Sequence, residues 1–242
     1  MKNEKILKSL FISFYEKLKN KEFIIDKSGV TCIEEIGYVL LGLDPTQSIL
    51  NFYEKKTNTE YCEKELKWYL SESLSIINYV DDVKIWKDIC TKDEKKEVNS
   101  NYGWCIFSSE SYNQYENCKN ELILNPESRR ACMIYTRPNI WVDYNRNGMS
   151  DFICTNSVHC FIRNNSLIYF VNQRSCDIIY GFFNDFYWHC YVYNKLYSEL
   201  LLTYPSLKIG SINFNFGSIH LYNRHYNLFT NMIEKYYKIN CK

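Results

Sequence analysis

Two apolar runs separated by a pair of asparagines constrain the fold of this chain more than any other feature. Residues 158–163 and 167–172 are rich in β-branched and aromatic side chains, which is typical of strands. Asn164-Asn165 between them suits a tight hairpin turn, because asparagine tolerates a positive φ. The second run continues directly into the polar segment Gln173-Arg174-Ser175-Cys176-Asp177. The sequence therefore predicts an antiparallel hairpin that ends in a cluster of functional groups.

Helical periodicity surrounds this hairpin. The first twenty residues place apolar side chains on one helical face: Ile6, Leu7, Leu10, Phe11, Phe14 and Leu18. Further helices are predicted over 60–70, from an N-cap at Ser108 through 122, over 186–202 and over 222–237. In the 60–70 helix, Tyr61, Leu66 and Tyr69 or Leu70 are expected to face the core. With a further strand over 131–136 and no regular βαβ alternation, the pattern predicts an α+β fold.

The composition favours one domain that acts on small molecules. At 242 residues the chain can bury a sizeable core, and no Pro-, Gly- or Ser-rich linker divides it. Residues 1–242 are therefore predicted to form a single domain. The formal net charge is +1, from 29 basic and 28 acidic residues, which gives no electrostatic footprint for nucleic acid.

The cysteines and histidines predict neither disulfides nor a metal site. Eleven cysteines is an odd number, and with four histidines they give no zinc-ligand spacing. The segment 143–148 imitates the start of an EF-hand loop, but the twelfth position is Cys154 instead of a bidentate glutamate. The amino terminus lacks a signal-peptide pattern and no apolar run is long enough to span a bilayer, so no membrane association and a cytosolic location are expected.

Six short blocks, in order along the chain, carry a resemblance to a known family. They are Asp26-Lys27-Ser28-Gly29, Glu65-Leu66-Lys67-Trp68-Tyr69, Asn99-Ser100-Asn101-Tyr102-Gly103-Trp104, Pro126-Glu127-Ser128-Arg129-Arg130, Asp151-Phe152-Ile153-Cys154-Thr155-Asn156 and His220-Leu221-Tyr222. With the run around Arg174, they resemble the thymidylate synthase family, and most closely its deoxycytidylate 5-hydroxymethyltransferases. The resemblance implies a mixed β-sheet flanked by helices and a homodimer in which two sheets pair face to face.

The same resemblance implies covalent chemistry on a pyrimidine. Carbon C5 of the ring is too weak a nucleophile until a thiolate adds to C6, and Cys154 stands at the family's nucleophile position with Arg174 expected beside it. Glu65 is implied as the acid/base residue that orders water, and Tyr102 as the residue that helps to remove the C5 proton. Without their blocks, the ordinary interpretations would be a buried thiol and a helix-surface carboxylate.

Asp185 closes the run Gly181-Phe182-Phe183-Asn184-Asp185 and indicates which base is bound. Synthases that methylate uracil nucleotides carry asparagine at this position, whose amide matches O4 and N3-H of uracil. A carboxyl group instead accepts from the C4 amine of cytosine and shares a proton with N3. The resemblance therefore implies a cytosine nucleotide.

The remaining implied site residues hold the phosphate, the sugar and the folate. The 5′-phosphate is assigned to Arg174, Ser175, Lys27 and, from the neighbouring subunit, Arg129 and Arg130. The sugar 3′-hydroxyl is assigned to His220 and Tyr222. The co-substrate 5,10-methylenetetrahydrofolate is assigned to Asp177, which would contact the pterin, and to Trp86, which would stack on it. An exposed arginine pair and a core tryptophan are the ordinary alternatives for Arg129-Arg130 and Trp86.

The implied reaction converts dCMP, 5,10-methylenetetrahydrofolate and water to 5-hydroxymethyl-dCMP and tetrahydrofolate. The polar, basic tail 238–242 is expected to admit that water, since it lacks the apolar end with which synthases seal the folate site. A thymidylate synthase, a dUMP or CMP hydroxymethylase and an inactive nucleotide-binding regulatory paralogue remain alternatives. The resemblance also suggests a viral origin.

Overall fold

The computed structural model describes residues 2–52 and 55–240, with side chains as far as residue 236. Cys241 and Lys242 lie outside the described residues. The prediction that the tail 238–242 admits water therefore concerns mainly residues that the structure does not describe. In chain order the elements are α1 (Lys2–Asn20), β1 (Ile24–Ile25), β2 (Thr31–Leu43), β3 (Asn51–Phe52), β4 (Lys55–Lys56), α2 (Thr59–Leu70), α3 (Lys84–Ile89), α4 (Tyr102–Phe107), α5 (Gln114–Leu124), β5 (Cys132–Ile134), α6 (Ile140–Asp143), β6 (Thr155–Arg163), β7 (Ser166–Asp177), α7 (Gly181–Leu200), β8 (Lys208–Tyr222) and α8 (Tyr226–Asn240).

A six-stranded mixed sheet in the order β1-β2-β8-β7-β6-β5 organises these elements. The predicted hairpin is confirmed: β6 and β7 are antiparallel, and Asn164 and Asn165 at the turn have φ of 50° and 57°. Strands β7 and β8 are parallel, and α7 connects them. The expected mixed sheet flanked by helices is therefore observed.

Aromatic packing between α7 and the sheet forms the centre of the core. Phe182 of α7 contacts Phe214 and Phe216 of β8, with ring centroids 5.3 and 5.9 Å apart. The Tyr193 hydroxyl of α7 donates to the Leu167 carbonyl at 3.0 Å and accepts from the Gly210 N–H at 2.8 Å. These bonds fix α7 against both parallel strands, so the amino-terminal end of α7 is held beside the carboxyl end of β7.

The opposite face of the sheet leaves many side chains partly or fully exposed. One row across five strands consists of Ile134, Ser157, Asn172, Asn215 and Val39, which are neighbours in register. Ile134 is 54% exposed and Val39 is 47% exposed. Four half-buried side chains adjoin this row on β6 and β7: His159, Phe161, Ile168 and Phe170. We call this surface the open sheet face.

The helix predicted from 186 begins earlier, at Gly181. Two other predicted helix starts are wrong. Ser108 ends α4 instead of starting a helix, and its hydroxyl accepts from the Ser111 N–H. The next helix begins after Asn113, whose side chain accepts from the Glu116 N–H. Tyr222 is likewise the last residue of β8, because its backbone pairs with Cys32 of β2. In both places a local hydrogen bond or a strand partner overrides the helical pattern.

Candidate active site

The loop before Cys154 is held by a buried carboxylate. Asp151 accepts from the backbone N–H groups of Asn99 and Ser100, both at 2.7 Å, and from the Ser100 hydroxyl at 2.7 Å. Burial raises the pKa of Asp151, while these hydrogen bonds lower it. The sequence did not identify Asp151 as important by itself, although it lies in the Cys154 block. Its hydrogen bonds hold the segment Asn99-Ser100 against the loop that carries Cys154.

Arg174 reaches Cys154 from the neighbouring strand. Its Nη2 lies 3.6 Å from the Cys154 Sγ, and its Nε donates to the Ile153 carbonyl at 3.0 Å. Its Nη2 also donates to the Phe152 carbonyl. The Phe152 ring packs against the guanidinium at 5.0 Å. Arg174 is nevertheless exposed. It is therefore fixed beside the thiol and still accessible to an anionic ligand.

The surroundings of Cys154 favour the thiol over the thiolate. Burial raises the pKa of Cys154 to about 11, Arg174 opposes that rise, and the charge of Asp185 adds to it. The guanidinium alone therefore does not ionise the thiol. A cation at this distance stabilises the thiolate relative to the thiol.

Asp185 lies at the first turns of α7 and is bound by a glutamine that the sequence did not single out. Gln173 Nε2 donates to Asp185 Oδ2 at 2.7 Å and to Thr155 Oγ1 at 3.2 Å. Gln173 and Thr155 are 2% and 0% exposed. Their positions opposite each other on β6 and β7 follow from the strand register. The register of the hairpin could have predicted that Gln173 faces Thr155. It could not have predicted that α7 brings Asp185 to Gln173.

Burial raises the pKa of Asp185 to about 7, and the hydrogen bond from Gln173 opposes the rise. Near neutral pH the carboxyl therefore populates both its protonated and its ionised form. A group in this range can give a proton to a ring nitrogen and take it back. The Asp185 charge also raises the pKa of Cys154, Tyr102 and Glu65, which shows that the structure brings the four predicted catalytic residues together.

Glu65 is buried on α2 and belongs to a small hydrogen-bond network. The Tyr61 hydroxyl donates to its Oε1 at 2.6 Å, and Trp86 Nε1 donates to the Tyr61 oxygen at 3.0 Å. Burial raises the pKa of Glu65 to about 8, against the hydrogen bond from Tyr61. Glu65 also lines a narrow void with Cys62 and Asn184. A carboxyl group with this pKa can gain and lose a proton near neutral pH.

Trp86 lies in the core. It is 9% exposed, and its ring packs edge-on against Trp68 with centroids 4.9 Å apart. Its connection to Glu65 runs through Tyr61, a residue that the sequence placed only on the core face of α2. Stacking of Trp86 on a folate stays a prediction.

Tyr102 begins α4 and stacks on Tyr69 of α2, with ring centroids 5.3 Å apart. The two helices approach so closely that a Cβ on Gly103 would lie 1.8 Å from the Tyr69 carbonyl oxygen. Glycine at position 103 is therefore required by packing. Burial raises the pKa of Tyr102, and the charges of Asp185 and Cys154 add to the rise.

Asp177 ends β7 and supports the start of α7. Its Oδ1 accepts from the backbone N–H groups of Ile179 and Tyr180 at 2.7 and 2.8 Å. Its Oδ2 lies 3.9 Å from His225 Nε2. In the sheet, Asp177 pairs with His220, whose ring contacts Tyr222 with centroids 4.7 Å apart. The structure thus brings together the residues predicted to bind sugar and pterin. Ser175 lies two residues before Asp177 on the same face of β7 and is half-buried.

The other predicted phosphate ligands lie on exposed segments. Lys27 is exposed in a turn in which Asp26 Oδ1 accepts from the Ser28 N–H at 2.7 Å. Arg129 and Arg130 are exposed between α5 and β5, and Arg130 Nη2 pairs with Glu121 Oε1 at 3.0 Å. The arginine pair therefore extends from the β5 edge of the sheet, whereas Arg174 lies near its middle.

Within 2–52 and 55–240, no group of three or more His, Cys, Asp and Glu side chains is arranged to hold a metal ion. No helix in the same part of the chain has the length and apolarity needed to cross a bilayer.

A half-buried thiol beside a guanidinium, with two carboxyl groups of raised pKa in the same site, is an arrangement suited to covalent catalysis. The thymidylate synthase family profile matches residues 18–241, and the chain belongs to that family.

Several relatives share most of the chain. It is 44% identical over 232 residues to the deoxycytidylate 5-hydroxymethyltransferase of Enterobacteria phage T6, and the match covers 91% of each protein. It is 45% identical over 214 residues to the enzyme of the same name from phage T4, covering 87% of this chain and 84% of the relative. The thymidylate synthase of Francisella tularensis subsp. holarctica is 27% identical over 184 residues, covering 71% of this chain and 64% of the relative.

Proposed function

We propose that the protein is a deoxycytidylate 5-hydroxymethyltransferase that uses 5,10-methylenetetrahydrofolate and water. The carboxyl group of Asp185 is the observation that carries this proposal, because its pKa of about 7 lets it exchange a proton with N3 of cytosine. The phage relatives that bear this name support it. We also propose that residues 1–242 act as one catalytic domain.

In the proposed first step, the Cys154 thiol releases its proton to solvent and the resulting thiolate adds to C6 of dCMP. Arg174, 3.6 Å from the thiol, stabilises the thiolate and contributes to binding of the 5′-phosphate. Asp185 gives its proton to N3 as electrons move from the C5–C6 double bond toward the ring nitrogen. The ring is then activated at C5, which no protein charge could achieve without the covalent bond.

In the following steps, C5 bonds to the methylene carbon of the folate, and the C5 proton leaves with help from Tyr102. Tetrahydrofolate departs and an exocyclic methylene remains on the base. Water ordered by Glu65 adds its oxygen to that carbon, and the Cys154 sulfur leaves C6. We assign Asp177 and Trp86 to the folate, and His220 and Tyr222 to the sugar.

A release assay tests this function. Tritium at C5 of labelled dCMP is expected to be released in the presence of 5,10-methylenetetrahydrofolate, with less release from dUMP and CMP. Water, and not a hydride from the folate, adds to the exocyclic carbon. Because the folate is then not oxidised, the folate product should be tetrahydrofolate. Absorbance should therefore show no stoichiometric dihydrofolate. Dihydrofolate formed in step with product would instead identify a thymidylate synthase, and no release from any nucleotide would favour an inactive paralogue.

We propose further that two copies of the chain pair through the open sheet face. The row from Ile134 to Val39 exposes apolar side chains at both ends and amides in the middle. Asn172 donates to Ser157 at 3.4 Å and accepts from Asn215 at 3.2 Å, so the amides are held in place. A second sheet would cover this exposed apolar surface, as a two-fold, self-complementary interface requires. Lys27, Arg129 and Arg130 are the proposed phosphate ligands beyond Arg174 and Ser175, the arginine pair acting in the neighbouring site.

Shared sites predict complementation between inactive variants. Cys154→Ser and Arg130→Ala chains, unfolded together at equal amounts and refolded, should regain about one quarter of the wild-type activity. Half of the dimers are then mixed, and each mixed dimer has one site with both lesions and one site with none. The measurement is tritium release from dCMP.

The matched control pairs Cys154→Ser with Glu65→Gln. Both residues come from one chain of a site, so every site in a mixed dimer keeps one lesion and activity should stay absent. No recovery in the Arg130 mixture, although mixed dimers have formed, would contradict the assignment of Arg130 to the partner's site.

A further inference from the structure

A hydrogen-bond chain of three side chains ends on one oxygen of Glu65. Trp86 Nε1 on α3 donates to the Tyr61 oxygen at 3.0 Å, and the Tyr61 hydroxyl donates to Glu65 Oε1 at 2.6 Å. Tyr61 and Glu65 lie four residues apart on α2, so they share one face of that helix. The chain therefore links two helices through the hydroxyl group of Tyr61.

The indole of Trp86 fixes the direction of these hydrogen bonds. An indole N–H can only donate, so the Tyr61 oxygen accepts from it and directs its own proton to Glu65 Oε1. A length of 2.6 Å is typical of an O–H group that donates to a carboxylate. Oε1 is thereby kept as an acceptor. A proton that Glu65 takes up must then lie on its other oxygen, Oε2.

Packing holds both ends of this chain in place. Trp86 is 9% exposed and Glu65 is 6% exposed. The Trp86 ring packs edge-on against Trp68 with centroids 4.9 Å apart, and Trp68 Nε1 donates to the Ser73 carbonyl at 2.8 Å. Glu65 cannot turn its carboxyl group without breaking the bond from Tyr61, and a buried group that loses such a bond is costly. The orientation of Oε2 is therefore set by Tyr61.

We propose that Tyr61 is a positioning residue for the addition of water. By holding Oε1, it makes Oε2 the oxygen of Glu65 that takes a proton from the attacking water. In that step the water oxygen bonds to the exocyclic carbon and its proton moves to Oε2. The electron pair of the exocyclic double bond moves into the ring, and Cys154 leaves C6 as a thiolate. This inference rests on the proposed function and adds to it a residue that acts through Glu65.

Tyr61→Phe tests the proposal, because phenylalanine keeps the ring and removes only the hydroxyl. We expect formation of 5-hydroxymethyl-dCMP to slow about tenfold, with the KM for dCMP changed less than about twofold. The C5 proton leaves before water adds. When the addition of water is slow, tetrahydrofolate can add back to the exocyclic carbon and a solvent proton can return to C5, so tritium is lost without product. The amount of tritium released for each hydroxymethyl product should therefore exceed the wild-type value.

The pH dependence of kcat gives a second measurement. Burial raises the pKa of Glu65 to about 8, and the hydrogen bond from Tyr61 lowers it. Glu65 has to be ionised to take the proton from water, so the activity rises with pH through this pKa. Loss of the Tyr61 hydroxyl should raise the pKa and move that rise to higher pH. The other titratable groups around Glu65, which the substitution leaves in place, include Cys62 and Tyr69 of α2 and Asp185 of α7.

Tyr204→Phe is the matched control. Tyr204 is also half-buried, and its hydroxyl donates to the carbonyls of Leu122 and Ile123 at 3.0 and 2.8 Å, beyond the carboxyl end of α7. This variant loses a tyrosine hydroxyl with two hydrogen bonds, as Tyr61→Phe does. It should keep the wild-type ratio of tritium to product and the wild-type pH dependence.

A second substitution breaks the same chain one bond earlier. Trp86→Phe removes the indole N–H, so the Tyr61 hydroxyl is free to turn, and the ratio of tritium to product should rise. The double variant should show little further rise, since both changes break one chain. A slower Tyr61→Phe enzyme with the wild-type ratio and pH dependence would mean a purely structural role and would overturn the proposal, as would an unchanged rate. Absence of tritium release by the wild-type protein would instead reject the proposed function.

Discussion

Cys154→Ser is expected to lower turnover of dCMP by at least about 10³-fold while leaving the fold and dCMP binding intact. The reaction needs a nucleophile at C6, and a serine hydroxyl is far less acidic than a thiol. The substitution is small, and the Cys154 Sγ contacts Arg174 at 3.6 Å and the Phe152 carbonyl at 3.9 Å. Serine can keep both contacts. Tritium release gives the turnover, and equilibrium dialysis gives the affinity for dCMP.

The matched control is Cys90→Ser. Cys90 is a buried thiol at the end of α3, and its Sγ donates to the Lys87 carbonyl at 3.4 Å, a bond that a serine hydroxyl can also make. This variant should keep turnover within about threefold of wild type. If Cys154→Ser kept near-wild-type turnover, Cys154 would not be the nucleophile.

The strands differ in how far the sequence alone predicts them. The hairpin of β6 and β7 was predictable because its apolar runs are continuous and the turn between them has asparagines at positive φ. Strands β2 and β8 were missed, since glycines interrupt both and β8 alternates Asn213 and Asn215 with its aromatics. Their pairing with each other along most of their lengths is what makes them strands. Such partners lie too far apart in the chain for local periodicity to reveal them.

The buried face of α2 illustrates the same limit at the site. Apolar periodicity placed Tyr61, Leu66 and Tyr69 or Leu70 on the inner face. Tyr69 is buried as predicted, but the other buried residues of α2 are Cys62, Glu65 and Trp68. Leu70 is 44% exposed, whereas Glu65 is 6% exposed. A hydrophobic scale assigns glutamate to the surface. Only its position in a family block placed Glu65 in a catalytic role, and the hydrogen bond from Tyr61 explains how it can be buried.

Asp185→Asn is expected to move the preference from cytosine toward uracil nucleotides. The wild-type carboxyl accepts from the C4 amine and holds a proton for N3, and its pKa of about 7 suits that exchange. Asparagine cannot supply this proton, so activation of dCMP should suffer most. The amide does match the N3-H and O4 of uracil. Its oxygen can also still accept from Gln173, so the variant should fold and keep the local geometry.

The size of the change follows from what one polar contact contributes. A well-formed bidentate contact to a base is worth about 1–3 kcal/mol of discrimination, and sites built on polar pairing reject unmatched analogues by about 10⁴. The ratio of kcat/KM for dUMP over dCMP should therefore rise at least about tenfold, mostly through lost dCMP activity. Uracil faces the wild-type carboxylate with O4, where two oxygens with lone pairs repel each other, and the amide removes that repulsion. Competition between the two labelled nucleotides in one mixture measures the ratio directly, and thermal melting checks the fold. An unchanged ratio in a folded variant would mean that Asp185 does not read the base, and the choice of cytosine would then have to lie with groups that contact the other edge of the ring.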